Sequence, residues 1–304
     1  MSLYLGIDTS NYTTSVAVCG DDEANLRKLI EIEKGQRGIR QSDGVFVHIK
    51  AFPELFCGLN IDFKKVKAVG VSEKPRNQEN SYMPVFTVGE SFAEVIAKAL
   101  NVPLFKTSHQ DGHIMAGLVS CGADDLIKGE FTAVHLSGGT TEILSCKYEN
   151  GSFNPKIIGG TKDISAGQLL DRLGVKLGMQ FPCGKELDSL SLTAKESINL
   201  KTSVKNGFIN FSGIETKLLK LSETIAPDIL ARSALIFIGN SINEALSAIK
   251  PKNVLFVGGV ASNTILRKML KNENYNTYFA KNELSSDNAM GVAHITKKMY
   301  EEMK

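Results

Sequence analysis

The chain reads as an α/β protein made of two related halves. Short apolar strands alternate with amphipathic helical stretches along most of its 304 residues. One strand–turn–strand design stands near the start of each half. No low-complexity linker separates the halves, so they are expected to meet in a packed cleft.

In order, Leu3–Ile7 is a short apolar strand, Asp8–Thr13 a polar turn and Thr14–Cys19 a second strand. The loop Gly35–Gly44 leads to a helix over Val47–Leu59. Val66–Val71 is a buried strand, Glu73–Pro84 is polar and irregular, Val88–Leu100 has a helical pattern, and Val102–Thr107 is another strand. The second half repeats the opening: strand Thr132–Leu136, turn Ser137-Gly138-Gly139-Thr140-Thr141, strand Ile143–Cys146. Helices follow over Ile164–Leu177 and Ser233–Ile249. A buried strand, Val254–Val257, is broken by Gly258-Gly259, Thr264–Leu270 opens a helix, and Ser286–Tyr300 is the last one. The expected domains are residues 1–121 and 122–287, with the C-terminal helix 288–304 packing back on the first.

Composition narrows the function classes. The formal net charge is +2 and is spread over both halves, which lacks the basic footprint of a stand-alone nucleic-acid binder. No signal-peptide pattern and no membrane-spanning apolar run are present. The five cysteines include no Cys-x-x-Cys pair, which points to reduced thiols and a cytoplasmic location. Cys183 lies in a Pro-Cys-Gly turn open to exposure and is read as structural.

His109 and His113 carry the clearest chemistry. Four residues apart on a helix they share one face, where two imidazoles can grip one metal ion. The same residues also read as a polar helix start capped by Ser108. The pair follows a strand, at the edge where open α/β sheets bind ligands. Gln110 stands where a His-Glu-x-x-His hydrolase needs a carboxylate base, which argues against that chemistry. Asp287 is the candidate third ligand, although Asp before a helix is also a routine N-cap. Two His and one carboxylate suit Fe, Zn, Mn or Mg and leave positions open for water or phosphate oxygens. Three turns of small residues, Asp8–Thr14, Ser137–Thr141 and Gly258–Asn263, stand at strand ends. Their backbone N–H groups and hydroxyls suit an anion, which together suggests a nucleotide in the cleft.

These motifs, in this order, resemble the TsaD family of tRNA threonylcarbamoyladenosine transferases, also known as the glycoprotease family. The resemblance runs through Gly6-Ile7-Asp8-Thr9-Ser10, His109–His113, Leu136–Thr141, Ala166–Arg172, Phe181–Gly184, Phe211–Thr216, Gly258–Asn263 and Ser286–Ala289. It implies an actin-like ATPase fold with two duplicated domains around a nucleotide cleft. It implies that His109, His113 and Asp287 bind one divalent metal ion, and that Ser137, Gly138 and Gly139 meet phosphate or an acyl-adenylate. Asp171 and Gly184 would contact the sugar region of the nucleotide, with Asn263 helping there. The implied activity is acyl transfer from threonylcarbamoyl-AMP to the N6 amine of adenosine 37 in tRNA. The implied ligands are ATP or an acyl-adenylate, tRNA and another actin-like subunit, with no membrane.

The chain departs from the family pattern in ways that matter. Thr140 replaces a histidine, Gln168 a glutamate and Glu215 a lysine. The family's Gly-Pro-Gly-rich segment is replaced by Glu73–Asn80. A divergent paralogue with a retained metal–nucleotide site is therefore expected, with altered or lost transfer activity. The alternatives are a non-catalytic nucleotide-binding partner subunit and a carbamoyl or phosphoryl transferase acting on a small molecule.

Overall fold

The computed structural model describes residues 2–10, 12–30, 39–281, 284 and 289–304. In chain order its elements are β1 (Leu3–Ser10), β2 (Thr13–Gly20), β3 (Ala24–Leu29), α1 (Gln41–Cys57), β4 (Val66–Lys74), α2 (Phe86–Leu100), β5 (Leu104–Ser108) and α3 (His109–Cys121). Then come β6 (Glu130–Leu136), β7 (Thr141–Lys147), β8 (Lys156–Thr161), α4 (Ala166–Lys176), α5 (Gly184–Ser191), β9 (Val204–Lys205), β10 (Phe208–Ile209) and α6 (Ser212–Leu221). The chain closes with α7 (Pro227–Ile249), β11 (Asn253–Val257), α8 (Thr264–Leu270), β12 (Asn276–Phe279) and α9 (Met290–Glu302). Two compact units result: residues 1–124, 147–155 and 283–304, and residues 125–146 with 156–282. Among the described residues no helix is long and apolar enough to cross a membrane.

The first unit is a five-stranded sheet in the order β3-β2-β1-β4-β5. β1 and β2 form an antiparallel hairpin, and β1, β4 and β5 run parallel. Every residue of β1 is buried, as expected for a central strand covered on both faces. One face packs Leu5, Ile7, Val69 and Val71 with Phe52 of α1 and Ala93 of α2. The other packs Tyr4, Ala17 and Ala68 with Ala289, Met290 and Ala293 at the start of α9. Close approach is possible there because Gly6 has no side chain: a Cβ would strike the backbone of Ala289 and Ala293. Gly291 likewise lies against the backbone of Gly112 in α3.

The segment 147–155 is held to this unit by Asp111. Its carboxylate accepts from Phe153 N at 2.9 Å, Ser152 Oγ at 3.2 Å and Ser108 Oγ at 2.6 Å. Burial keeps the Asp111 carboxyl above its usual range, against the pull of these donors.

The second unit is a seven-stranded sheet, β12-β11-β6-β7-β8-β10-β9. Read from β8 to β12, it has the strand order of the first sheet, extended by the short β10–β9 pair. Its core joins Leu136 and Ile143 of the hairpin to Leu169 and Leu173 of α4 and a long row from α7 that includes Ile238 and Ile242.

Helix α1 starts at Gln41, six residues before the expected Val47, and takes in Gly44 and Pro53. Packing overrides propensity here: a Cβ on Gly44 would lie 2.9 Å from Val85 Cγ1, so a bare helix surface is what fits. Part of the expected loop, residues 35–38, lies outside the described residues. Cys183, expected at an exposed turn, is fully buried in the core of the second unit.

His48 of α1 is completely buried and pairs through Nδ1 with Thr14 Oγ1 at 2.8 Å. Burial holds its pKa below the ordinary histidine value, although the Asp8 charge pulls the other way. A depressed folded pKa means that the unfolded chain takes up the proton first. Stability is therefore full above the unfolded value and falls as pH drops below it. Unfolding free energies from urea titration should hold near pH 7.5 and decline below the unfolded histidine value of about 6.5, by at most about 1 kcal/mol per pH unit from this group. His48→Gln should show a shallower decline over the same range, and an unchanged slope would contradict this account.

Candidate functional site

The carboxyl ends of three neighbouring parallel strands build a polar cluster in the first unit. The register pairs Ile7 of β1 with Val71 of β4, and Ser72 of β4 with Thr107 of β5. The next positions along these strands are Asp8, Ser72 and the start of α3. Asp8, only 1 % exposed, receives two donors on one oxygen. Ser72 Oγ donates to Asp8 Oδ1, and His109 Nδ1 lies 3.0 Å from the same atom. The other oxygen, Oδ2, is buried with no hydrogen-bond partner among the described residues.

Ser108 caps α3 by accepting from Asp111 N at 3.1 Å, so the capping reading is correct and coexists with the histidine face. One turn apart on that helix, His109 and His113 bring their Nε2 atoms to 3.0 Å. The His109 ring also meets Phe86 edge-on, with centroids 5.9 Å apart. Two nitrogens this close fit a single ion with metal–nitrogen bonds of about 2.0–2.1 Å. Two imidazole nitrogens suit a first-row divalent metal, although among the described residues no three His, Cys, Asp or Glu side chains are gathered to hold one. Asp287, the expected third ligand, lies outside the described residues.

The second unit holds the other candidates. Ser137–Thr140 is a closed turn: Ser137 N donates to Thr140 O at 2.9 Å, and Thr140 N donates to Ser137 Oγ at 3.1 Å. The start of α4 braces it. Ser165 caps α4 in a capping box with Gln168 and donates to Gly138 O at 2.6 Å, while Ala166 N donates to Thr141 Oγ1 at 2.8 Å. Gly167 sits directly on this turn, where a Cβ would collide with Gly138 Cα and Ser137 O. Gly258, at φ +95°, lies against Leu136 O, which sets the β11 turn beside the β6 turn. Gly138, Gly139, Gly184 and Gly259 all face open space.

Asn263 is buried, and its side-chain oxygen caps α8 by accepting from Ile265 N at 3.0 Å and Leu266 N at 3.1 Å. Asp171 accepts from Cys183 N at 2.8 Å, just before Gly184 opens α5. Burial raises the Asp171 carboxyl above its usual range, and that single N–H offsets part of the effect.

The departures from the family pattern have local partners. Gln168 completes the capping box. Thr140 closes its turn through backbone atoms, which any residue supplies. Glu215, mostly buried, forms a two-pronged ion pair with Arg172 Nη1 at 3.0 and 3.3 Å. Nothing in the sequence marks Ser72, and Asp8 reads there as part of an anion-suited turn and of the family's opening motif, not as a partner of His109. Each is one polar residue at the end of an apolar strand, and only the strand register reveals that they meet.

A sheet order that occurs in both units, with ligand-type side chains at strand ends, defines an actin-like ATPase fold. Solved structures agree. HypF of T. kodakarensis superposes with a TM-score of 0.63 at 15% identity over 99% of this chain and 48% of that one, so this chain spans about half its length. The Clostridium difficile activator of 2-hydroxyisocaproyl-CoA dehydratase, with bound ADPNP, gives 0.57 at 17% identity over 99% and 96%. Residues 49–294 match the family model described as tRNA N6-adenosine threonylcarbamoyltransferase. Relatives of that name include one from Mycoplasmopsis synoviae, 28% identical over 96% of this chain and 96% of its own length. Another, from Ligilactobacillus salivarius, is 31% identical over 90% of this chain and 82% of its own. The chain belongs to the tRNA N6-adenosine threonylcarbamoyltransferase family, a family of transferase enzymes.

Two consequences are measurable. Gly167→Ala should cost about 1–3 kcal/mol, because its Cβ has only backbone to displace, whereas Gly139→Ala should leave the urea midpoint unchanged. Glu215→Lys should destabilise by about 1–2 kcal/mol through a like-charge contact with Arg172, and adding Arg172→Glu should recover most of it.

Proposed function

We propose that this chain is a metal-dependent acyltransferase that moves the threonylcarbamoyl group from its adenylate to the N6 amine of adenosine 37 in tRNA. The observation that carries the reading is the convergence of His109 and His113 beside the buried Asp8 at the carboxyl edge of the first sheet. Family membership supports the donor and the acceptor. His109 and His113, with Asp287 as third ligand, would hold a divalent ion. When bound, it supplies positive charge to carbonyl and phosphate oxygens as a Lewis acid.

The reaction forms a C–N bond to the adenosine amine and breaks the acyl–phosphate C–O bond, with AMP leaving and the amine proton passing to solvent or phosphate. This chain's own groups bind and orient the donor. Ser137 closes the turn that presents Gly138 and Gly139, which face open space, to phosphate, and the start of α4 braces that turn. Asp171, Gly184 and Asn263 are assigned to the nucleoside end. Thr140 offers no ring nitrogen where the family pattern has histidine, so the transfer is expected to be slower than in relatives that keep it.

A second reading, a nucleotide-binding partner of another actin-like subunit, is favoured by the Arg172–Glu215 pair, which cancels a cation that would otherwise meet phosphate.

Calorimetric titration of ATP into metal-loaded protein should show binding that His109→Ala abolishes. Gly139→Ala should weaken it at least tenfold without loss of stability. Incubation with threonylcarbamoyl-AMP and unmodified tRNA, read by nucleoside mass spectrometry, should yield the modified adenosine. Nucleotide binding without product selects the partner-subunit reading, and no nucleotide binding at all overturns both.

A further inference from the structure

The polar cluster contains a residue placed to aim another. Asp8 is buried, and both Ser72 Oγ and His109 Nδ1 converge on the same one of its oxygens. A carboxylate accepts only, so the atom shared between Asp8 and His109 is a proton on Nδ1. The ring then has its lone pair on Nε2, the atom that faces His113 Nε2 at 3.0 Å. A neutral histidine left in water is free to protonate either nitrogen, and only one of the two tautomers offers Nε2 as a ligand.

We propose that Asp8 is a positioning residue of the metal site, fixing His109 as the Nδ1–H tautomer and turning its Nε2 lone pair toward the point it shares with His113. This rests on the metal reading given above. Ser72 is the second member of the device. Its hydroxyl holds Asp8 Oδ1 in place across the β1–β4 register, so the carboxylate is anchored by its own sheet as well as by α3. Metal-bound histidines commonly donate their other nitrogen to a carboxylate, and loss of such a partner weakens metal affinity 10- to 100-fold. The placement also answers for a buried charge. Among the described residues Asp8 makes no ion pair with Lys or Arg, and Oδ2 has no donor. A bound cation behind His109 is the charge that this carboxylate would balance.

The test has one arm without metal and one with it. In metal-free protein, two-bond 1H–15N correlation of the histidine rings should show His109 as Nδ1–H, and Asp8→Asn should lose that preference. With cobalt(II) as the probe, visible absorption should report one bound ion in the wild type. Asp8→Asn should bind it 10- to 100-fold more weakly, with altered d–d bands. Ser72→Ala, which leaves the carboxylate in place, should give a smaller loss and guards against a misfolded Asp8 variant. His109 found as Nε2–H in the wild type overturns the proposal. So does an Asp8→Asn protein that folds and binds cobalt as the wild type does, while the metal reading itself survives that result. A wild type that takes up no cobalt, whatever its tautomer, overturns the metal reading and this proposal together.

Discussion

One backbone contact governs the first unit: Gly112 of α3 against Gly291 of α9. A side chain at Gly291 would push the helices apart, because it would strike the carbonyl of Gly112 and the amide of Ala116, which have no rotamer to adopt; one at Gly112 would press on Val292 Cγ2 at 3.2 Å. The contact fixes the height and rotation of α3 on the sheet. Gly112 stands directly before His113, so the histidine face inherits its direction from this crossing. Gly291 follows Asp287 by four positions in sequence.

The second constraint is the cost of polar groups at buried strand ends. Asp8 and Ser72 follow Ile7 and Val71, the last pair of the β1–β4 ladder, and α3 begins directly after β5, where the parallel sheet stops being apolar. An interior that takes in a carboxylate must satisfy it or use it. Asp111 shows the first solution, with backbone and hydroxyl donors around it and a stretch of chain tied down as a result. Asp8 shows the second, with two donors on one oxygen and, among the described residues, nothing on the other. Two buried aspartates in one unit therefore differ by their donors. The satisfied one is structural, and the unsatisfied one stands beside the histidines.

Much of this is legible in the sequence, for specific reasons. Alternation of apolar runs exposes β1, β2, β4, β6, β7 and β11, and 3.6-residue periodicity exposes α2, α4, α7 and α8. The edge strand β3 escapes, since Asn25, Arg27 and Lys28 make it polar. The pairs β9 and β10 escape because two residues carry no period. The His109–His113 spacing is readable because a helix turn is a local distance. Asp8 with Ser72, and Arg172 with Glu215, are not, because each pair lies tens of residues apart and is joined only by tertiary register. Glu215 in particular looks like a bare charge reversal until its partner, on a different helix, is in view.

The route of the chain through its two units imposes an order of events during synthesis. The first unit draws on three stretches, and the last, with α9, follows every residue of the second. Until α9 leaves the ribosome, the face of β1 and β4 bearing Gly6 and Gly70 has no cover, and α3 lacks the helix that sets its tilt. The half that begins first is thus finished last. Its ligand-bearing edge is covered only after the residues of the other half have all been made.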